Sequence, residues 1–369
     1  MIKTIGLVTG GGDAPGLNAV IRAVVKTAVG EFGLRVVGIE DSYEGLLGET
    51  HVRELRPADV RGLLPRGGTI LGTRNRGSFV LKNLEDPGGE SVFREAIANL
   101  ERLEVDALVA VGGEGTLGIA LEFSKRGFPV VGVPKTIDND LAATELTFGF
   151  MTALDIASEA LDRLHTTAES HDRAMVLEVM GRHAGWIALH SGISGGADVI
   201  LIPEIPFAME KVAQKVRERD SCGALFSIIV AAEGAREAEG SQHYLDMGDR
   251  HSAPRLGGVG HHVAHELTEL TGKETRCVVL GHLQRGGSPN AFDRMLATNF
   301  GSSAVRALAR GKTGVMVALH ASNIRTVPLS AAVTDLKTVP LESQLIRCAR
   351  DVGISFGATD EDETHGHEC

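Results

Sequence analysis

Nine short apolar runs, rich in β-branched residues, constrain this chain most: "TIGLVTG" (4–10), "LRVVGIE" (34–40), "DALVAVGG" (106–113), "PVVGVP" (129–134), "RAMVLEVMG" (173–181), "DVILIPE" (198–204), "LFSIIVAAEG" (225–234), "RCVVLGH" (276–282) and "GVMVAL" (314–319). A strand covered on one face alternates apolar and polar residues, whereas these runs stay apolar throughout. That habit belongs to strands buried on both faces of a parallel sheet. Helix-like stretches separate them at 17–30, 145–168, 207–219, 256–271 and 289–310. The alternation predicts an α/β fold of doubly wound type with mainly parallel sheets. At 369 residues the chain exceeds one ordinary core and suggests about two domains.

Composition removes several classes of function. The net charge of −11 argues against a broad nucleic-acid surface, and the scarcity of aromatic residues argues against base stacking. No apolar stretch is long enough for a membrane span or a signal peptide. The four cysteines (Cys222, Cys277, Cys348, Cys369) are scattered, and the expectation is reduced thiols in a cytoplasmic protein. The polar, mostly acidic end at 358–369 is expected to be a solvated, disordered tail.

In an open α/β sheet, ligands bind beyond the carboxyl ends of the strands. After the first run comes "GGGDAPG", where Gly10 to Gly12 let backbone amides approach a phosphate. The third run is followed by Gly112-Gly113-Glu114-Gly115-Thr116, the fourth by Lys135-Thr136-Ile137-Asp138-Asn139-Asp140. The fifth leads into "MGRHAG", the seventh into Glu233 and the eighth into "GHLQRGG". Glu114 and Asp140 offer hard oxygen ligands suited to Mg2+, and Asp138 offers a base toward a hydroxyl. The alternative is that Asp138 and Asp140 simply hydrogen-bond a turn. Arg74, Arg173, Arg182, Arg276 and Arg285 lie near strands or in glycine-rich loops. Singly each reads as an ordinary surface residue; together they suggest two phosphates to hold.

Three other patterns carry less. His261 and His265 stand four apart beside Glu266, but without a third ligand they read as plain helix residues. Trp186 is expected in the core. The glycine loop, with Glu40 ending the second run, mimics a dinucleotide fingerprint, although Asp13 would face a pyrophosphate with negative charge.

The segments "TGGGDAPGLNAVIR", "GGEGTLG", "PKTIDND", "ESHDR", "EVMGRHAGW", "PEIPF" and "ETRCVVLGHLQRGGSPNAFDR" together resemble the 6-phosphofructokinase family, over residues 9–294. The resemblance is to ATP-dependent members of a group that uses either ATP or pyrophosphate. It implies two Rossmann-like lobes with the active site in the cleft between them. A donor lobe would comprise 1–150 plus roughly 283–310, and a sugar-phosphate lobe 151–282 plus roughly 311–350.

By the same resemblance, Gly12 and the loop Gly112, Gly113, Glu114, Gly115 and Thr116 hold the phosphates of ATP, with Arg74 set against the moving phosphoryl group. Glu114, where the family usually has aspartate, holds Mg2+ with Asp140. Asp138 takes the proton from the sugar 1-hydroxyl beside Thr136 and Ile137. Met180, Gly181, Arg182, Glu233, His282, Leu283, Gln284 and Arg285 hold fructose 6-phosphate. Arg173 and Arg276 reach it from a neighbouring subunit, implying a homodimer or homotetramer. No nucleic acid or membrane is expected as a partner.

Pyrophosphate users of the group tend to carry aspartate at the place of Gly115 and lysine at that of Lys135; ATP users usually have glycine at both. An aspartate at 115 would press its charge against the α-phosphate of a nucleotide, whereas Lys135 excludes neither donor, so ATP is the expected donor. The alternatives are a pyrophosphate-dependent enzyme, an NAD(P)-dependent oxidoreductase, a kinase of the NAD or lipid type, and a non-catalytic sugar-phosphate sensor. Lys26 and His165 stand where effector-binding arginines are common in bacterial relatives, so a weak response to ADP and phosphoenolpyruvate is expected.

Overall fold

The computed structural model describes residues 2–74, 77–79, 87–240, 244–246 and 255–358. In chain order the elements are β1 (Thr4–Thr9), α1 (Leu17–Phe32), β2 (Arg35–Ile39), β3 (Val52–Glu54), α2 (Pro87–Arg102), β4 (Ala107–Gly112), α3 (Glu114–Lys125), β5 (Val130–Pro134), α4 (Phe150–Ser170) and β6 (Ala174–Val179). They continue with α5 (Trp186–Ser194), β7 (Val199–Leu201), α6 (Met209–Ser221), β8 (Ser227–Ala232), β9 (Tyr244–Asp246), β10 (Arg255–Leu256), α7 (Val259–Thr271), β11 (Thr275–Val279), α8 (Ala291–Ala309), β12 (Val315–His320), β13 (Asn323–Pro328) and α9 (Gln344–Asp351). All nine apolar runs contain strands.

The chain divides into two units, Met1–Thr152 with Arg285–Leu336, and Ala153–Gln284 with Lys337–Cys369. In the first, the sheet order is β13-β12-β5-β4-β1-β2-β3, parallel from β12 to β2, with β13 and β3 as antiparallel edges. One face, including Ile5, Leu7, Val109 and Val131, packs with Leu17, Val20 and Val24 of α1 and Phe300 and Ala304 of α8. The other, including Val8, Leu108, Ala110 and Val130, packs with Phe93 of α2 and Leu117 and Phe123 of α3. Two covered faces explain why these strands are apolar at every position.

The second unit has a parallel sheet in the order β11-β6-β8-β7. Val176, Ile229 and Leu201 pack with Val212 and Val216 of α6 and Val263 and Leu267 of α7. β9 and β10 form a separate antiparallel pair.

Residues 311–336 depart from the expected boundary. They belong to the first unit, not the sugar-phosphate lobe, because β12 pairs with β5 (Val315 opposite Val131) and carries β13 as a hairpin partner. Trp186 opens α5 only half-buried, its indole N–H donating to the Lys337 carbonyl at 2.8 Å. Cys222, at the end of α6, is disulfide-bonded, which corrects the expectation of four reduced thiols; scattered spacing in the sequence does not reveal a pairing between distant positions. Cys277 and Cys348 are free, and burial, reinforced by Glu178, pushes the Cys277 thiol up to about 12. The tail expectation concerns 359–369 almost entirely, outside the described residues. No helix among the described residues is long and apolar enough to cross a membrane.

Candidate active site

In the first unit, β5, β4 and β1 are adjacent and parallel, with Thr9 opposite Val111 and Gly112 opposite Pro134. Their carboxyl ends therefore deliver three loops side by side: Gly10–Gly12, Gly112–Thr116 and Lys135–Asp140. The loops are cross-braced. The Gly10 N–H donates to the Val111 carbonyl (3.0 Å), the Gly11 N–H to that of Arg74 (3.2 Å), and the Lys135 N–H to that of Gly112 (3.0 Å). The Lys135 ammonium itself donates to the Gly12 carbonyl.

Charge is concentrated here. Lys135 is only 3% exposed, and its pKa falls to about 8, first through burial and then through Arg285, against the opposing pull of Asp138, Asp140 and Asp13. Arg285 also donates to the Asp13 carbonyl at 3.3 Å. Two cations and three carboxylates thus share one neighbourhood, a setting suited to an anion accompanied by a metal ion.

The turn after β5 is tightly braced. The Asp138 N–H donates to the Thr136 hydroxyl (3.0 Å), while the Thr147 hydroxyl donates to the Thr136 carbonyl (2.7 Å). Asn139 adopts φ 51°, which asparagine tolerates better than most residues, and its side-chain oxygen accepts from the Thr147 N–H at 3.2 Å. Ile137 has a fully buried side chain.

Glu114 is the first residue of α3 and exposed, where a carboxylate complements the helix dipole. Gly112 is dictated by packing, since a Cβ there would lie 2.3 Å from Thr116. Gly115 is not: a Cβ there would meet nothing within 4 Å. Thr116 is buried, its carbonyl accepting from the Tyr43 hydroxyl at 3.1 Å. Arg74 is half-exposed and ion-paired with Asp41 at 3.1 Å.

The second unit repeats the construction. β11, β6 and β8 are adjacent and parallel, with Val179 opposite Ala232 and Val279 opposite Glu178. Their ends bring Met180-Gly181-Arg182, Glu233 and His282 to one edge. Gly181 needs to be glycine, with φ 135°. Arg182 and His282 are exposed and Glu233 is half-buried; Leu283 is 68% exposed.

Gln284 differs from expectation. Its side chain is fully buried, accepting from the Met180 N–H (2.8 Å) and donating to the Ala153 carbonyl (3.4 Å), so it organises the loop from within. Arg173 and Arg276 converge on one residue absent from the sequence reading, Glu274, at 3.0 and 2.6 Å. The Arg173 hydrogen bond, with the charge of both arginines, holds the Glu274 carboxyl below its usual range.

Of the remaining sequence candidates, Glu40 is paired with Arg53 at 3.1 Å, which occupies the supposed ribose acid. The His165 Nε2 lies 2.6 Å from the Gly195 carbonyl, and Lys26 is exposed on α1. His261, His265 and Glu266 lie on α7; among the described residues no group of three or more His, Cys, Asp or Glu side chains is placed to hold a metal.

Fold and loops together define an α/β protein whose charged and glycine-rich residues collect at the carboxyl ends of parallel strands. The phosphofructokinase family model matches residues 4–308, and the chain belongs to that family. It is 59% identical over 355 residues to the ATP-dependent 6-phosphofructokinase of Chloroflexus aurantiacus, covering 96% of this chain and 98% of the relative. It is also 53% identical over 341 residues to the pyrophosphate–fructose 6-phosphate 1-phosphotransferase of Amycolatopsis methanolica, covering 92% and 96%. The solved phosphofructokinase of Saccharomyces cerevisiae matches with a TM-score of 0.76 and 34% identity over 90% of this chain; the chain spans 45% of that yeast chain.

Proposed function

We propose that the protein transfers the γ-phosphoryl group of ATP to the 1-hydroxyl of fructose 6-phosphate, yielding ADP and fructose 1,6-bisphosphate. The observation that carries the choice of donor is the open space at Gly115. Neither backbone conformation nor any neighbour within 4 Å requires glycine there, and glycine weakens a helix relative to alanine by about 1 kcal/mol. A cost without an internal reason fits room reserved for a ligand, here the innermost phosphate of the nucleotide.

The roles follow from charge and position. Amides of Gly12 and the Gly112–Thr116 loop bind the donor phosphates, and Arg74 and Lys135 offset their charge. Asp138 accepts the 1-hydroxyl proton as the sugar oxygen bonds to the γ-phosphorus and the bond to the ADP oxygen breaks. Met180, Gly181, Arg182, Glu233, His282 and Arg285 hold the sugar phosphate, with Arg173 and Arg276 supplied across a subunit boundary. Positioning and charge neutralisation do most of the work in such transfers. Glu114 and Asp140 would hold Mg2+, whose preference for one or two carboxylates plus phosphate oxygens suits this donor set. The ion supplies further charge neutralisation when bound. With these substrates, the proposed location is the cytoplasm.

A second reading, pyrophosphate as donor, draws on Lys135 beside the glycine loop and on the name of the Amycolatopsis relative. Purified protein given fructose 6-phosphate, Mg2+ and each donor in turn separates the two. Turnover is expected with ATP; turnover with pyrophosphate alone overturns the proposal.

A further inference from the structure

Asn18 lies in the first turn of α1, only 1% exposed, where an unpartnered carboxamide would be costly. Its carboxamide reaches one distant segment. Its Nδ2 donates to the carbonyls of Arg66 (3.1 Å) and Gly67 (3.0 Å), and its Oδ1 accepts from the Ile70 N–H (2.9 Å). The segment is closed on another side: a Cβ on Gly67 would stand 2.0 Å from the Gly287 carbonyl oxygen, and the Ser288 hydroxyl donates to the Pro65 carbonyl at 2.5 Å.

The same strip of chain then runs to the phosphate loop. The Thr9 hydroxyl donates to the Gly72 carbonyl (2.8 Å), the Thr73 hydroxyl to the Gly11 carbonyl (2.6 Å), and the Gly11 N–H to the Arg74 carbonyl (3.2 Å). Residues 66–74 are therefore anchored at one end by the helix that follows the glycine loop, and at the other by the loop itself. Nothing in the proposed chemistry uses Asn18 directly.

We propose that Asn18 is a positioning residue for Arg74: its carboxamide fixes the 66–70 backbone so that Arg74 keeps one spacing from Gly11 and Gly12. The inference rests on the proposed role of Arg74 toward the transferred phosphoryl group. Small misplacements of a group that acts on the transition state cost rate far more than binding.

The test uses Asn18→Asp, which preserves volume and the acceptor for Ile70 but sets a carboxylate against two carbonyl oxygens. With ATP, kcat should fall about 100-fold while KM for fructose 6-phosphate moves less than about 3-fold. Amide exchange over 66–74 should accelerate, with that of β4 unchanged. In an Arg74→Ala background the same substitution should cost no more than about 2-fold further, because both changes remove one function. Unaltered exchange over 66–74, a kcat near that of the parent, or losses that multiply with Arg74→Ala each overturn the proposal. Arg74→Ala alone tests the underlying reading: full activity there refutes the role of Arg74, whereas the exchange result still reports whether Asn18 holds the segment. If Asn18→Asp does not fold, Asn18→Ala is read in the same way, and failure of both to fold assigns Asn18 to folding alone.

Discussion

A lysine folded into the position of Lys135 must carry its charge with little water around it. Its pKa drops from 10.5 to about 8, mainly by burial, so between those values the unfolded chain binds the extra proton. Stability from this group therefore rises with pH across that window, and the penalty is fully present below about pH 8. Lys135→Met should stabilise the protein at pH 7 by up to about 3 kcal/mol, less whatever the bond to Gly12 contributes, and the gain should shrink toward pH 10. Melting curves of both proteins from pH 7 to 10 check this; a constant difference refutes it. The carboxylate of Asp138, three residues on, has a different part. Asp138→Ala should lower kcat by several orders of magnitude while the KM for sugar stays within a few-fold, since a base acts mainly in the transition state. Near-parental turnover in that variant removes Asp138 from the chemistry. At this scale short strand-end motifs make Asp138, Lys135 and the glycines candidates from sequence alone. The sequence hides Asn18, the internal job of Gln284 and the link from Glu274 to Arg173, because these contacts join residues far apart in the chain; Asn18, for example, reaches 52 residues to Ile70.

Helix α3 joins stability and function in a single turn. Gly112 and Gly115 look alike in "GGEGT", yet a Cβ at 112 would collide with Thr116 whereas one at 115 would enter open space. Gly115→Ala should therefore stabilise the helix by about 1 kcal/mol and raise Tm by about 2–4 °C. Under the proposed function it should simultaneously raise the KM for ATP, because the methyl group would enter the space proposed for the nucleotide. Gly112→Ala should lower Tm instead. Differential scanning calorimetry beside initial-rate assays reads both effects, and a Gly115→Ala protein with unchanged ATP affinity would remove the argument for the donor. Elements buried on both faces were legible in advance, since burial imposes continuous apolar runs. α5, a nine-residue helix with five buried positions, offered too little amphipathic periodicity, and β3 is a short, polar edge. α3 is hard to read for another reason: its first turn, Glu114-Gly115-Thr116, resembles a loop because glycine and threonine are weak helix formers.

For the molecule as a whole, the proposed assembly turns on Arg173 and Arg276. Arg173 and Arg276 both pair with Glu274 inside the second unit, so one shared carboxylate keeps the two guanidinium groups together. Placing that pair in a neighbouring subunit's site makes a quantitative prediction. Asp138→Ala and Arg276→Ala proteins should each be nearly inactive. In a two-fold assembly that exchanges residues reciprocally, a mixed pair contains one site with both defects and one with neither. After dissociation and random reassociation, about half the dimers are mixed and half their sites intact, so about a quarter of parental activity should return. If Arg276 instead served the site of its own chain, every site would retain one defect and mixing would restore nothing. Activity measured before and after reassociation of equal amounts distinguishes the two arrangements.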